Sequence, residues 1–298
     1  MACKDHRFID LHIHSTASDG SFQPFEIILL SIKSGLSAIA LTDHDTTDGC
    51  KQILAQPPPL PLDFLTGVEI SAAAPAGLTR AGSIHMLGYD LDVHDPSLNQ
   101  ALADLRKARN DRSPKMIQRL KEIGFDLSIN DVAPFARGNQ VGRPHIAQAM
   151  LHKKLVASID EAFDRYLGKN GTAYVDKQRI PCQRAIELIV GAGGIPVLAH
   201  PGLIESAEEN EIRSLVGMLK DTGLRGIEVY YPGHSADQTD RFLKLARDFH
   251  LVVTGGSDFH GDLNPKIKLG RGTGDLFVGY PVYDALIASN RNREAAPV

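Results

Sequence analysis

His12-Ile13-His14 places two imidazoles two positions apart. In an extended segment such residues point to the same side, so both can meet one metal ion. Asp19 follows on the next loop and offers an oxygen. A second cluster, Thr42-Asp43-His44-Asp45, directly follows the apolar run Ala38–Leu41. Ending a buried strand in Asp-His-Asp is costly unless something offsets the charges, and imidazole with carboxylate suits Zn, Mn or Fe. A helix N-cap at Asp43 or Asp45 is the plainer alternative, but it leaves His44 unexplained. The theme repeats at Glu69 after Val68, at His85 in Ser83-Ile84-His85-Met86, at His200 before Pro201, and at Asp258-Phe259-His260 after Gly255-Gly256-Ser257. Any one of these histidines is explained as a satisfied core residue. Their joint placement at the ends of apolar runs is not.

Seven such runs can position them: Phe8–Leu11, Ala38–Leu41, Phe64–Val68, Ile84–Tyr89, Ile195–Ala199, Gly226–Val229 around Glu228, and Leu251–Thr254. Each is short, rich in Ile, Val, Leu or Ala, and bounded by Gly, Pro, Asp or Ser, as a buried parallel strand should be. Helical stretches separate most of them. Pro24–Gly35 and Pro181–Gly191 open on Pro and stop at Gly; Glu208–Thr222 and Ala236–His250 show apolar spacing of three and four. The alternation predicts an α/β barrel, a (β/α)7 variant by its seven candidate strands, with active residues on the carboxyl ends of its strands. It fails between about Pro96 and Tyr174, where a small helical insertion is expected. The predicted division is therefore 1–95 with 175–298 for the barrel and 96–174 for the insertion. Within Asp104–Glu122, Arg106, Lys107, Arg109, Arg112, Lys115, Arg119 and Lys121 face Asp104, Asp111 and Glu122, either as a solvated face or as a cationic lid beside an anionic substrate. Pro57-Pro58-Pro59-Leu60-Pro61 reads as a stiff loop and Gly191-Ala192-Gly193-Gly194 as a turn, since it precedes a strand instead of following one.

The bulk composition narrows the function classes. With 298 residues, 43% hydrophobic and 23% charged, the chain is an ordinary globular protein. No apolar run reaches the roughly 18 residues of a membrane span, and Met1–His6 leaves no room for a secretion leader. Cys3, Cys50 and Cys182 form no CxxC pair, which argues against a disulfide scaffold or a thiolate zinc site and fits a reducing cytoplasm. A net charge of −4 favours a small substrate, or the end of a larger one, over a long nucleic acid. No obligate protein partner and no membrane is inferred.

The run Phe8-Ile9-Asp10-Leu11-His12-Ile13-His14-Ser15-Thr16-Ala17-Ser18-Asp19-Gly20, with Thr42-Asp43-His44-Asp45, Gly67-Val68-Glu69, Ile84-His85, Ala199-His200-Pro201 and Ser257-Asp258-Phe259-His260 in order, resembles the PHP (polymerase and histidinol phosphatase) superfamily over essentially the whole chain. The resemblance implies a distorted (β/α)7 barrel holding three divalent metal ions, Mn, Fe or Zn. His12, His14, Glu69 and Asp258 would hold one. Glu69 would bridge to a second, completed by His85 and His200, and Asp19, His44 and His260 would hold the third. Asp43 is expected to orient an imidazole from behind. In the insertion, Arg109-Asn110-Asp111-Arg112, Gly142-Arg143-Pro144-His145 and Ala162–Gly168 resemble the branch of nucleoside 3′,5′-bisphosphate phosphatases and a 5′-to-3′ exoribonuclease. That likeness implies substrate binding by Arg143, His145, Arg109, Asn110 and Arg112. A helix start with an incidental Arg is the alternative at Arg143-Pro144-His145.

The expected enzyme is a metal-dependent phosphoesterase that removes the 3′-phosphate of a nucleoside 3′,5′-bisphosphate by attack of a metal-bound hydroxide, with Arg143 neutralising phosphate charge. His145, His200 and His234 are the candidates for protonating the leaving oxygen. A 5′-to-3′ exoribonuclease acting on the 5′ end of short RNA and a histidinol-phosphate phosphatase are the alternatives in the same class. An inactive metal-binding regulatory module is the alternative outside it; nine intact ligand positions argue against it.

Overall fold

The computed structural model describes residues 6–55, 61–75, 83–136, 141–176, 178–204 and 209–294. Contacts divide the chain into two compact units, Met1–Leu102 with Arg179–Val298, and Ala103–Gln178.

The first unit is built on a mixed sheet: β1 (Ile9–Asp10), β2 (Ala38–Leu41), β3 (Asp63–Ala73), β4 (Ser83–Tyr89), β5 (Ile180–Pro181), β6 (Ile195–Leu198), β7 (Gly226–Tyr230) and β8 (Val252–Gly255). The order is β1-β2-β3-β4-β6-β7-β8, with β5 pairing with β3. All seven expected strands are present. The sheet is nearly closed, because the ends of β8 and β1 meet: Leu11 N–H donates to Gly255 O (3.2 Å) and His14 N–H to Phe259 O (2.9 Å). Ile9, Leu11, Ala40, Leu87, Val197 and Ala199 fill the interior. These fully enclosed strands explain the continuous apolar runs.

β4 departs from the all-parallel expectation, pairing antiparallel with both β3 and β6. The short span from Ala73 to Ser83 cannot hold the crossover of a dozen or more residues that a parallel return needs. The reversal has a functional result. Candidate ligands follow the carboxyl ends of β1, β2, β6 and β8 and Glu69 sits within β3, whereas β4 carries His85 near its amino end, opposite Ser71.

The helices are α1 (Pro24–Lys33), α2 (Asp48–Ala55), α3 (Pro96–Glu122), α4 (Ile129–Val132), α5 (Arg143–His152), α6 (Ile159–Ala162), α7 (Cys182–Gly191), α8 (Glu209–Asp221), α9 (Ala236–Asp248) and α10 (Pro281–Glu294). Local chemistry sets their ends. Pro24 opens α1, where Gln23 N–H donates to Glu26 Oε2 (2.7 Å), and Gly35 follows it at φ +77°. Ser235 and Gln238 cap α9 reciprocally. Pro181 precedes α7 and does not lie within it. Ala192–Gly194, with Gly191 closing α7, form the turn before β6. Pro57–Leu60 lie outside the described residues.

The unit boundary falls inside α3. Its first turns belong with the barrel: Leu98 and Leu102 are buried, and Lys51 Nζ donates to Asn99 Oδ1 (2.6 Å). The second unit has a core of its own, from Met116, Ile117 and Leu120 through Ile146 and Met150 to Leu167. Leu151 is exposed.

Gly256 shows how tightly β8 meets β1. A Cβ there would overlap the His12 backbone nitrogen. Gly256→Ala is expected to cost about 1–3 kcal/mol, as overpacking of a core does, and to displace His12. A lowered thermal midpoint checks this.

Candidate metal centre

The strand ends bring all nine expected ligand residues to one rim of the barrel. β1 carries His12 and His14 into an extended continuation, where Ile13 pairs with Phe259 as a parallel bridge. The next such bridge joins His44 to Glu69, beyond the paired ends of β2. These extensions of sheet pairing place the clusters from three parts of the chain side by side.

Glu69, 1% exposed, is at the centre. Its Oε1 lies 2.7 Å from His85 Nδ1 and 2.9 Å from His200 Nε2. Its Oε2 lies 3.0 Å from His44 Nδ1, 3.2 Å from His14 Nε2 and 3.3 Å from His12 Nε2. Asp258 Oδ1 approaches His14 Nε2 (3.1 Å), His12 Nε2 (3.4 Å) and His260 Nδ1 (3.5 Å). Asp19 completes the outer side, at 3.5 Å from His260 Nε2 and 3.8 Å from His14 Nδ1.

Donor atoms shared by one metal at about 2.0–2.1 Å in tetrahedral geometry stand roughly 3.3 Å apart, and the contacts here run from 2.7 Å to 3.9 Å. Three sets of donors have all their atoms within 4.8 Å of one another: His12, His14, Glu69 and Asp258; His14, Asp19, His44 and His260; and His44, Glu69 and His85. The sets overlap at His14, His44 and Glu69, so the ligand groups share side chains more than the family pattern implied. His200 joins through its contact with Glu69.

The hydrogen bonding points the same way. His12 Nε2, both ring nitrogens of His14, Asp19 Oδ1 and Glu69 Oε2 are buried without a hydrogen-bond partner. Buried polar atoms are rarely left so, and these converge. Burial pushes the Glu69 carboxyl up, but the imidazoles of His44, His85 and His12 outweigh it and hold the pKa well below the usual carboxylate range. Burial likewise lowers His14, yet Asp258 and Glu69 beside it raise it to about 10. A divalent cation would replace those protons, because imidazole binds metal only when neutral.

The PHP domain profile matches residues 10–250. The chain belongs to the PHP family. Similar PHP proteins include the 3′,5′-nucleoside bisphosphate phosphatase of Chromobacterium violaceum, 31% identical over 85% of this chain and 87% of that one. The 5′-3′ exoribonuclease Rnm of Escherichia coli is 31% identical over 88% of each chain. The phosphoribosyl 1,2-cyclic phosphate 1,2-diphosphodiesterase of Eggerthella lenta is 30% identical over 85% of this chain and 94% of that one. All three names describe cleavage of phosphate esters, and this PHP chain is a phosphoesterase.

Around the PHP centre, the supporting residues differ in part from the expectation. Asp43 orients no imidazole by hydrogen bond. It accepts from Ser15 N–H and Oγ–H (both 2.7 Å) and from Ser18 Oγ–H (2.7 Å), and so holds the turn that presents Asp19. Asp45, in a left-handed conformation at φ +52°, accepts from Ser71 N–H and Oγ–H, locking the segment after β2 onto β3. Asp10 was legible only as part of a motif. It accepts from His12 N–H, Ser257 N–H, Ser257 Oγ–H and Gly270 N–H, tying together the segments that carry His12 and Asp258. Tyr231, missed in the sequence, donates to Asp258 Oδ2 (3.2 Å).

His234, expected among the proton donors, has both ring nitrogens on backbone groups. Its Nδ1 is 2.9 Å from Val229 O, and its Nε2 accepts Gly202 N–H (3.1 Å). Both nitrogens are committed to backbone, and burial lowers its pKa. It pins the loop after His200.

The expected substrate residues lie in the second unit. Arg143 and Pro144 open α5, and His145 Nδ1 accepts Gly142 N–H (3.0 Å). Arg112 and Arg143 converge on one ring, lying 5.4 and 5.8 Å from the centroid of Tyr174. Arg112 Nε–H donates to Val175 O (2.7 Å) and Arg143 to Leu167 O (3.3 Å). A cavity of about 420 Å³ is lined by Lys107, Arg112 and Lys115 together with Asp104, Asp111 and Asp176. Arg109 is half-buried and Asn110 exposed on the same helix. Among the described residues, no helix is long and apolar enough to cross a membrane.

Proposed function

We propose that this PHP phosphoesterase removes the 3′-phosphate of nucleoside 3′,5′-bisphosphates, using three divalent ions (Mn, Fe or Zn) held by His12, His14, Asp19, His44, Glu69, His85, His200, Asp258 and His260. The observation that carries the metal reading is Glu69, buried with five imidazole nitrogens within 3.3 Å of its two oxygens. Bound there, such ions supply activated water at neutral pH and neutralise phosphoryl oxygens.

The chain's own residues do the rest. Glu69 and Asp258 balance the charge of the cluster and fix the imidazoles around it. Tyr231 restrains the Asp258 carboxylate. Arg143 and Arg112, stacked on Tyr174, present guanidinium groups of the kind that bind phosphate in a fork. His145 accepts a backbone N–H at Nδ1, so a neutral ring carries its proton on Nε2. His200 is a ligand by its contact with Glu69, which leaves it poorly suited to protonating the leaving oxygen.

The similarity to the Chromobacterium violaceum phosphatase supports the substrate. The equal similarity to the exoribonuclease supports a second reading, cleavage at the 5′ end of short 5′-phosphorylated RNA. Both substrates present a 5′-phosphorylated ribonucleotide with phosphorus on its 3′ oxygen. Phosphate release from adenosine 3′,5′-bisphosphate, mononucleotide release from a 5′-phosphorylated oligoribonucleotide, and turnover of a ribose 1,2-cyclic phosphate are compared as kcat/KM. The bisphosphate is expected to be the best substrate; preference for either of the others replaces this reading.

Arg143→Ala is expected to raise KM for the bisphosphate about 10–100-fold, the scale of a lost charge-assisted contact, with a smaller change in kcat. Unchanged kinetics would place the phosphate elsewhere.

A further inference from the structure

We infer that Glu228, outside the nine ligand positions, is a positioning residue of the centre: it fixes which nitrogen of His12 faces the other donors and holds the backbone from which His200 projects. The inference rests on the metal reading above.

Glu228 is 0% exposed in β7, between Ile227 and Val229. An ionised carboxylate is kept in such a place only with partners for its oxygens. It has two. Oε1 lies 2.9 Å from His12 Nδ1, and Oε2 accepts the backbone N–H of His200 at 2.7 Å. A carboxylate accepts and does not donate, so the proton of a neutral His12 sits on Nδ1. The lone pair is then on Nε2, the nitrogen that faces Glu69 (3.3 Å) and Asp258 (3.4 Å). This is the carboxylate–histidine arrangement that sets the tautomer and raises the basicity of a metal-binding imidazole.

The second bond acts on a different ligand. His200 has φ +25°, a strained conformation for a residue with a side chain. β6 ends at Leu198, paired with Ile227, so Glu228 stands beside the point where the chain leaves the sheet. Its Oε2 holds the His200 peptide there. The His12 and His200 rings lie stacked, 5.8 Å apart at an 18° angle, with one carboxylate setting the placement of both. With no surface of its own, Glu228 acts through these histidines and not on substrate.

Glu228→Gln keeps the size but exchanges one acceptor oxygen for an NH2 donor, so only one of the two contacts survives. Affinities for Mn(II) and Zn(II) are measured by competition with a chromophoric chelator, on wild-type and variant protein, alongside thermal melting of both metal-free forms. The wild type is expected to bind metal. The variant is expected to fold when metal-free and to bind its weakest-held ion about 10–100-fold less tightly. If the Gln variant does not fold, Glu228→Asp, which keeps the charge but loses the reach, is measured against the same expectation. Wild-type affinity in the folded variant overturns the role of Glu228 and leaves the metal reading standing. A wild type that binds no metal overturns both.

Discussion

Replacing Glu69 with alanine is expected to reduce phosphate-ester hydrolysis by about 10³-fold or more, the upper range for losing one major source of transition-state electrostatics. The magnitude follows from its position. One buried carboxylate contacts His12, His14, His44, His85 and His200, so its loss removes donor oxygens from two of the three sets and leaves several imidazoles facing one another. Cations would then repel protonated rings as well as lack a ligand. Glu69→Gln keeps the shape and removes the charge; it is expected to lose activity to a similar degree. Steady-state kinetics and metal content are measured on protein shown to be folded by circular dichroism. Activity within tenfold of wild type would remove Glu69 from the chemistry. Asp258→Ala is expected to behave alike, since Asp258 contacts His12, His14 and His260.

Metal removal is expected to have the second-largest effect. Dialysis against a strong chelator should abolish turnover, and returning Mn, Fe or Zn singly should restore it to differing extents, ranking the ions. Stability should follow. An ion binding only the folded state at 100 times its Kd adds about 2.7 kcal/mol, which for a chain of this size is a rise of several degrees in thermal midpoint. Full activity after verified chelation would contradict metal catalysis; restored activity without a higher midpoint would place the metal off the folded cluster.

The candidate ligand positions were legible because charge at the end of an apolar run is expensive, and a sequence that repeats that expense on strand after strand points to a shared compensation. His12, His44, Glu69, His200 and Asp258 were all found this way. The strands were legible for the related reason that enclosed strands are continuously apolar. What stayed hidden depends on partners distant in the chain. Glu228 was legible only as a polar residue inside an apolar run, and nothing local identified His12 as its partner. Asp10 was one letter of a motif until its bonds to Ser257 and Gly270 appeared. Asp43 was assigned to an imidazole because His44 adjoins it, whereas the Ser15–Ser18 turn packs closer. The antiparallel course of β4 was readable in principle from the short span after Ala73; apolar content alone carries no strand direction.

Anomalous diffraction from crystals of the protein, collected at the absorption edges of Mn, Fe and Zn, tests the metal centre most directly. The expected map has peaks about 2.0–2.3 Å from Glu69 oxygens and from nitrogens of His12, His14, His44 and His85. Fully metal-loaded protein whose map is empty at Glu69, or whose ions lie only elsewhere, would contradict it.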